Sequence, residues 1–374
     1  MKAAGRGSKG RVLVGMSGGV DSAVAAARLR DQGYQVTGAF LCLGRAGGQD
    51  RGEGGCCSPQ DAADARRVAA LLGIDLFVLD ATDGFERIID AFAAEYAAGR
   101  TPNPCVGCNR DVKIGRLLAR ARELGFDAVA TGHYARVVER GGRPALARAR
   151  HLEKDQSYVL FELPREALPR LLLPLGEVES KRAVRDEARR LGLPVHDKPD
   201  SQEICFVGEG GHAEVLAARA PRALTPGPVV DAAGRVLGRH DGYGRFTVGQ
   251  RRGLGIAAGA PRYVTAIDPA SATVTIGPRE ATAVAGLTAA AASWQGELPE
   301  ALEGGVLAAE VQVRSGHRAA PARLRGVGGA RFEVAFEAPI QAAAPGQAAV
   351  VYDGEVLIGG GWIERTVPVG ASGA

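Results

Sequence analysis

Two stretches of this chain carry residue types whose spacing suits chemistry. The first is Ser17-Gly18-Gly19-Val20-Asp21-Ser22, set between an apolar run and a helical pattern. A phosphate needs backbone N–H groups with no side chain in the way, and glycines allow that approach. The start of a helix adds the positive end of its dipole. The Ser17 and Ser22 hydroxyls suit phosphate oxygens, and the Asp21 carboxylate suits Mg²⁺, a hard cation that favours oxygen ligands. A plain tight turn capped by Ser or Asp is the bland alternative. The second stretch is Thr101-Pro-Asn-Pro-Cys105-Val-Gly-Cys108-Asn109. Its prolines stiffen the approach, and Cys108 stands just before a helix expected from about Asp111. A thiol at a helix start has a lowered pKa and becomes a nucleophile. A third cysteine, Cys205, follows in Asp200-Ser-Gln-Glu-Ile-Cys205-Phe.

The elements that must hold these residues alternate. Strands are expected at 11–16, 35–41, 76–79 and 128–131, with helices at 21–31, 59–72, 83–98 and 111–124. Strand–helix alternation predicts a parallel sheet covered on both faces, with ligands at the carboxyl ends of its strands. Near residue 200 the pattern turns Gly-rich. From about 285 onward apolar and polar residues alternate in short runs at 307–314, 320–325, 331–336, 348–352 and 356–358. That pattern predicts an antiparallel barrel or sandwich. The expected divisions are a flexible leader over 1–10, an α/β domain over 11–205, a small central domain over 206–282 and a β-domain over 283–374.

Composition narrows the classes. The chain has 374 residues, 46% apolar and 24% charged, which suits several globular domains. No run approaches the roughly 18 apolar residues of a membrane helix, and MKAAGRGSKGR has no signal-type apolar core. A cytoplasmic location without a membrane partner is expected. Arginines outnumber lysines 40 to 6, and the net charge of +4 permits a nucleic-acid partner without requiring one. Six cysteines in a chain this long do not read as a disulfide framework. Cys56-Cys57 and Cys42 read as structural. Gly5–Gly10 matches G-x-G-x-x-G but precedes a strand, so it fails the dinucleotide-binding context. G-x-x-x-x-G-K-[ST] is absent, so the phosphate loop is not of the Walker type.

SGGVDS resembles the pyrophosphate loop of N-type ATP pyrophosphatases, which split ATP into AMP and pyrophosphate and adenylate an oxygen on their substrate. With it come TPNPCVGCN, Ala130-Thr-Gly-His133-Tyr134, Lys154-Asp155-Gln156-Ser157-Tyr158, DSQEICF and Gly249-Gln-Arg-Arg-Gly-Leu-Gly-Ile256. In that order, over residues 11 to 365, they resemble the tRNA-specific 2-thiouridylase (MnmA) family. The resemblance implies an α/β pyrophosphatase domain, a central tRNA-binding domain and a C-terminal β-barrel. It implies sulfur insertion at C2 of a tRNA wobble uridine, with ATP and Mg²⁺ as the requirements.

By the same resemblance, Gly15, Met16, Ser17, Gly18, Gly19, Val20, Asp21, Ser22, Leu41 and Gly132 line the ATP site. Asn103, Pro104 and Cys105 approach the target base. Lys154, Asp155, Gln156, Arg314 and Ser315 contact tRNA. Cys108 is the nucleophile and Cys205 carries the persulfide, charged by a cysteine desulfurase or relay protein. Many family members have Asp where this chain has Cys105. That departure opens an alternative, a [4Fe–4S] cluster on Cys105, Cys108 and Cys205 that delivers sulfide. The other functional alternatives are a small-molecule synthetase or amidotransferase with the same loop, and a tRNA-binding protein that holds ATP only structurally.

Overall fold

A computed structural model describes residues 9–44, 58–200, 204–208, 210–256, 259–297 and 299–370. Most of the expected leader, the Cys56-Cys57 pair and Ser201–Glu203 lie outside the described residues. The chain forms two compact units, one of residues 1–88, 105–208 and 355–357, the other of 89–104, 209–354 and 358–374.

The first unit is built on β1 (Arg11–Gly15), α1 (Val20–Asp31), β2 (Gln35–Cys42), α2 (Pro59–Leu72) and β3 (Leu76–Asp80). After α3 (Thr82–Ala97), which leads out of the unit, come α4 (Pro104–Gly107), a π-helical turn over Cys108–Lys113 and α5 (Ile114–Glu123). Then follow β4 (Ala128–Ala130), β5 (Ala135–Arg140), β6 (Arg143–Arg148), β7 (Leu171–Leu172) and α6 (Lys181–Arg190). The sheet order is β3-β2-β1-β4-β7, and its pairings are parallel. Val12, Leu13 and Val14 on the central strand have no exposed surface, as befits a strand covered on both faces. Besides Leu29, all six buried apolar residues of α1 are small (Ala) or β-branched (Val), which lets the helix lie close to the sheet.

Strand order reverses at β1, with β2 on one side and β4 on the other. The crevice at such a point is where open α/β sheets bind ligands. The β5–β6 hairpin and α6 are not among the elements expected above. The hairpin turns on Gly141 (φ +57°) and Gly142 (φ +74°), the left-handed pair that a two-residue turn requires.

The second unit contains α7 (His212–Arg219) and the strands β8 (Gly227–Val230), β9 (Val236–His240), β10 (Tyr263–Asp268) and β11 (Thr273–Gly277). These strands form one sheet in the order β10-β11-β8-β9. Its later strands are β12 (Ala283–Trp294), β13 (Leu307–Gln312), β14 (Ala320–Gly328), β15 (Arg331–Gln341), β16 (Ala348–Asp353) and β17 (Val356–Pro368). They run β12-β15-β14-β13-β16-β17, and β12 also pairs with β17, so the six strands close into a barrel. Its interior is filled by Leu287, Val311, Leu324, Phe332, Val334, Val351 and Ile363. The strand expected at 356–358 extends to Pro368, because Gly359–Gly361 hide the alternation without interrupting the ladder.

Candidate active site

The phosphate loop leaves the carboxyl end of β1 and enters α1, whose N-cap is Gly19. Its conformation is set by its own groups. The Ser17 N–H donates to Ser22 Oγ at 3.1 Å, the two hydroxyls are 3.2 Å apart, and Ser22 Oγ donates to the Gly19 carbonyl at 3.1 Å. The Met16 N–H donates to the Ala39 carbonyl of β2 at 2.8 Å, tying the loop's root to the sheet. Gly132, just past β4, packs on the same turn. A Cβ there would stand 2.8 Å from the Asp21 carbonyl carbon and the Ser22 nitrogen, so no side chain fits. Gly15, Leu41 and Gly132 thus stand at or just past the carboxyl ends of β1, β2 and β4.

Asp21 is the loop's acidic group. It accepts from Lys181 Nζ at 2.7 Å on both oxygens and from the Tyr134 hydroxyl at 2.8 Å. Lys181 also meets Asp200 at 2.9 Å, and Asp200 is shared with Lys154 at 3.0 Å and Arg185 at 2.9 Å. Desolvation works against the Asp200 carboxylate. The bonds from Lys181 and Lys154 outweigh it and hold its pKa below the usual value. Burial raises the Tyr134 pKa, and the neighbouring Asp21 charge adds to it, so the phenol stays a proton donor.

His133 follows β4, with Nδ1 2.7 Å from Thr131 Oγ1. Desolvation, helped by the Lys113 cation, pushes its pKa down to about 3, so the ring is neutral at working pH. Mg²⁺ commonly takes one or two carboxylates together with substrate phosphates and water. Asp21, a hard oxygen donor on the phosphate loop, fits that demand.

The cysteine stretch departs from expectation. The helix starts at Pro104, where proline suits the first helical position, and not near Asp111. Cys105, which is exposed, therefore lies in the first turn, while Cys108 is buried and opens the π-helical turn. The dipole effect fades within the first turn. The helix-start argument for an acidified thiol thus applies to Cys105 and not to Cys108. Cys205 is half-buried. Among the described residues no three His, Cys, Asp or Glu side chains gather as a metal site. Cys105, Cys108 and Cys205 are therefore not gathered into a three-thiolate site for a [4Fe–4S] cluster as placed.

The segment before Pro104 is held within the second unit. The Thr101 N–H donates to the Pro345 carbonyl at 2.8 Å, and Gln347 Nε2 donates to the Thr101 carbonyl at 2.8 Å. Asn103 and Pro104 are half-buried next to it. In the Lys154–Gln156 turn, Asp155 accepts from the Ala149 N–H and from Ser157, and Gln156 Oε1 accepts from the Tyr134 N–H at 2.9 Å. Two of these three side chains therefore shape the turn, while Lys154 stands at its surface, bonded to Asp200. Arg314 and Ser315 are exposed just after β13.

Sequence reasoning missed Lys181, Arg185, Lys198, Asp61 and Asp64. One signal was available for the lysines. Only six stand against 40 arginines, and three of those six, Lys154, Lys181 and Lys198, pair with carboxylates in this unit.

A parallel sheet with a Ser/Gly phosphate loop at its switch point, followed by two β-domains, defines a HUP-type nucleotide-using enzyme with appended barrels. The chain matches the tRNA methyl transferase HUP domain family over residues 10–209. It also matches that group's PRC-barrel domain over 213–278 and the aminomethyltransferase beta-barrel domain over 284–363. A tRNA-specific 2-thiouridylase MnmA of Chloroflexus aurantiacus is 49% identical over 95% of this chain and 98% of its own length. Its namesake from a Bradyrhizobium species is 48% identical over 97% and 93%. The chain belongs to the tRNA-specific 2-thiouridylase MnmA family, a family of tRNA-uridine sulfurtransferases. The methyl-transfer wording of the domain descriptions and the relatives' name disagree, and near-half identity across almost the whole chain decides for the latter. Among solved structures, a 4-thiouridine synthetase–RNA complex with bound ATP aligns over 57% of this chain and 50% of that one. Its identity is 15% and its TM-score 0.36, too low to inform the site. Among the described residues no helix is long and apolar enough to cross a membrane.

Proposed function

We propose that this chain inserts sulfur at C2 of the wobble uridine of tRNA, in two half-reactions. Uracil C2 is a poor electrophile because its oxygen leaves badly. In the first half-reaction that oxygen attacks the α-phosphorus of ATP. The O–P bond forms, the α–β anhydride breaks and pyrophosphate departs. The loop N–H groups and the Ser17 and Ser22 hydroxyls hold the phosphates, and Lys181 stands beside Asp21 to offset their charge. Asp21 would hold Mg²⁺, which supplies further charge neutralisation at the phosphates.

In the second half-reaction the Cys108 thiolate attacks the inner sulfur of a Cys205 persulfide. The S–S bond to the outer sulfur breaks, hydrosulfide leaves and a Cys108–Cys205 disulfide forms. The hydrosulfide adds to C2, AMP departs, and loss of the sulfur-borne proton leaves the thiocarbonyl. The disulfide carries the two electrons' worth of oxidation, so a dithiol reductant resets it by exchange. A cysteine desulfurase or relay protein supplies the persulfide. Such a cycle suits the reducing cytoplasm.

Asn103, Pro104 and Cys105 are proposed to meet the base. Lys154 to Gln156, Arg314 and Ser315 are proposed to meet tRNA, the cations through phosphates. The observation that carries the reading is the SGGVDS loop at the switch point, in a chain 49% identical to a named 2-thiouridylase.

The test is nucleoside mass spectrometry of tRNA incubated with anaerobically purified protein, ATP, Mg²⁺ and a persulfide donor, before and after iron chelation. Equal 2-thiouridine in both arms is expected. Product only before chelation would replace the relay with a cluster. Absence of product in both would reject the acceptor.

A further inference from the structure

Lys198 belongs to none of the ATP, base or tRNA sets above. Its ammonium donates to the Gly18 carbonyl at 3.0 Å, to Asp61 Oδ1 at 2.6 Å and to Asp64 Oδ2 at 2.7 Å. An ammonium has three N–H donors, so all are used. Desolvation opposes the charge, but the bonds the ammonium donates to Asp61 and Asp64, with their negative charges, outweigh it and raise the Lys198 pKa. Asp61 also closes the capping box of α2 with Ser58, so the cation sits on a rigid helix start.

The Gly18 carbonyl is the informative partner. It shares one planar trans peptide with the Gly19 N–H, and the two point in opposite directions. Holding the oxygen therefore aims the N–H. Gly18 has φ +74°, and a Cβ there would lie 2.3 Å from the Asp61 carbonyl oxygen. The loop is thus pressed onto the first turn of α2 so closely that only glycine fits, with the Lys198 ammonium at the seam. A compact ammonium can converge on three acceptors from different elements, whereas a guanidinium presents a planar fork. That difference gives a physical reason for lysine at this position in an arginine-rich chain.

We propose that Lys198 is a positioning residue for the ATP half-reaction. Through the Gly18 peptide it aims the Gly19 N–H at the phosphates. The inference rests on SGGVDS being the ATP site.

The experiment measures tRNA-dependent pyrophosphate release by the full-length protein across an ATP titration, with tRNA affinity and melting temperature in parallel. Two variants are compared with wild type. One is Lys198→Met. The other adds Asp61→Asn and Asp64→Asn, so that no carboxylate is left uncompensated near the phosphates and folding is protected. Lys198→Met should lower kcat/KM for ATP by about 10- to 100-fold, the range expected when an anion-site donor is misaimed. Affinity for tRNA should stay within about twofold. The neutral triple variant should remain impaired at least about tenfold, because the Gly18 oxygen still lacks its donor. Recovery of the triple variant to the wild-type value would show that Lys198 only balances charge, and would overturn the proposal. So would an unaltered Lys198→Met. A wild-type protein that releases no pyrophosphate with tRNA would instead refute the ATP reading, and this inference with it.

Discussion

The phosphate loop and the cysteine helix lie in one unit and are built on opposite plans. In the loop, Ser17, Gly19 and Ser22 satisfy one another, Lys181 and Tyr134 engage Asp21, and Gly132 leaves no slack behind the turn. Along Pro104–Glu123 the helix passes from α to π and back to α. Asn109, directly after Cys108, is 2% exposed. Its Nδ2 donates to the Val159 carbonyl at 3.1 Å, while its Oδ1 has no hydrogen-bond partner among the described residues. A buried acceptor left open costs about 1–3 kcal/mol. Such groups and π-turns concentrate at working sites. In the proposed mechanism, one half-reaction uses a loop whose groups already satisfy one another, and the other uses a helix that keeps irregularity next to Cys108, the proposed nucleophile.

Separating the two regions by mutation gives the largest expected effect. Cys108→Ser or Cys205→Ser should cut 2-thiouridine formation by about 10³-fold or more, since an alcohol neither attacks nor carries a persulfide. Pyrophosphate release should stay within about threefold of wild type. Equal loss of both products would show that the cysteine helix also serves the ATP step.

Gly132→Ala attacks the loop alone. Its Cβ would force the Asp21–Ser22 turn to shift, so pyrophosphate release should fall on the order of 100-fold, with thiolation falling in step. An alanine variant with unchanged ATP kinetics would mean the cradle tolerates more movement than its packing implies.

Smaller effects sharpen the picture outside the reacting groups. Arg314→Ala should lower the salt dependence of tRNA binding by about one phosphate contact, without altering ATP use in the absence of tRNA. His133 tests how rigidly the crevice excludes water. Its folded pKa of about 3 lies below the ordinary imidazole value of 6.5. Above pH 6.5 both folded and unfolded states hold it neutral, and it contributes nothing to pH dependence. Between 6.5 and about 3 the unfolded chain binds the proton first, so acid destabilises the fold. His133→Asn should flatten that part of the profile, read as urea midpoints at neutral and mildly acidic pH. An unchanged slope would place the acid sensitivity in other groups.

Much of this is legible in the sequence. The 11–16 and 35–41 runs read as strands because parallel strands are apolar on both faces, and 59–72 read as a helix from its spacing. The β5–β6 hairpin carried a Gly141-Gly142 signal that outranks its weak alternation. The helix start at Pro104 was harder to see. The prolines of 102 and 104 suggested an extended approach, yet the second of them suits the first position of a helix. The shift moved Cys108 from a helix start into a helix interior, which changes the reason it could be reactive.

The residue types of the phosphate loop, the alternation of strands and helices, the switch to period two near 285 and the order of the motifs were set by the sequence alone. These are local properties: backbone freedom at glycine, apolar periodicity, and spacing along the chain. The partnerships of Asp21 with Lys181, of Asp200 with Lys154 and Arg185, and of Gly18 with Lys198 were decided only by the fold. Lys181 is 160 residues from Asp21, and Lys198 is 180 from Gly18. An ion pair leaves no periodic trace in a sequence. Only the packing of a parallel sheet, which gathers loops from distant strands at one edge, brings the charges within bonding distance.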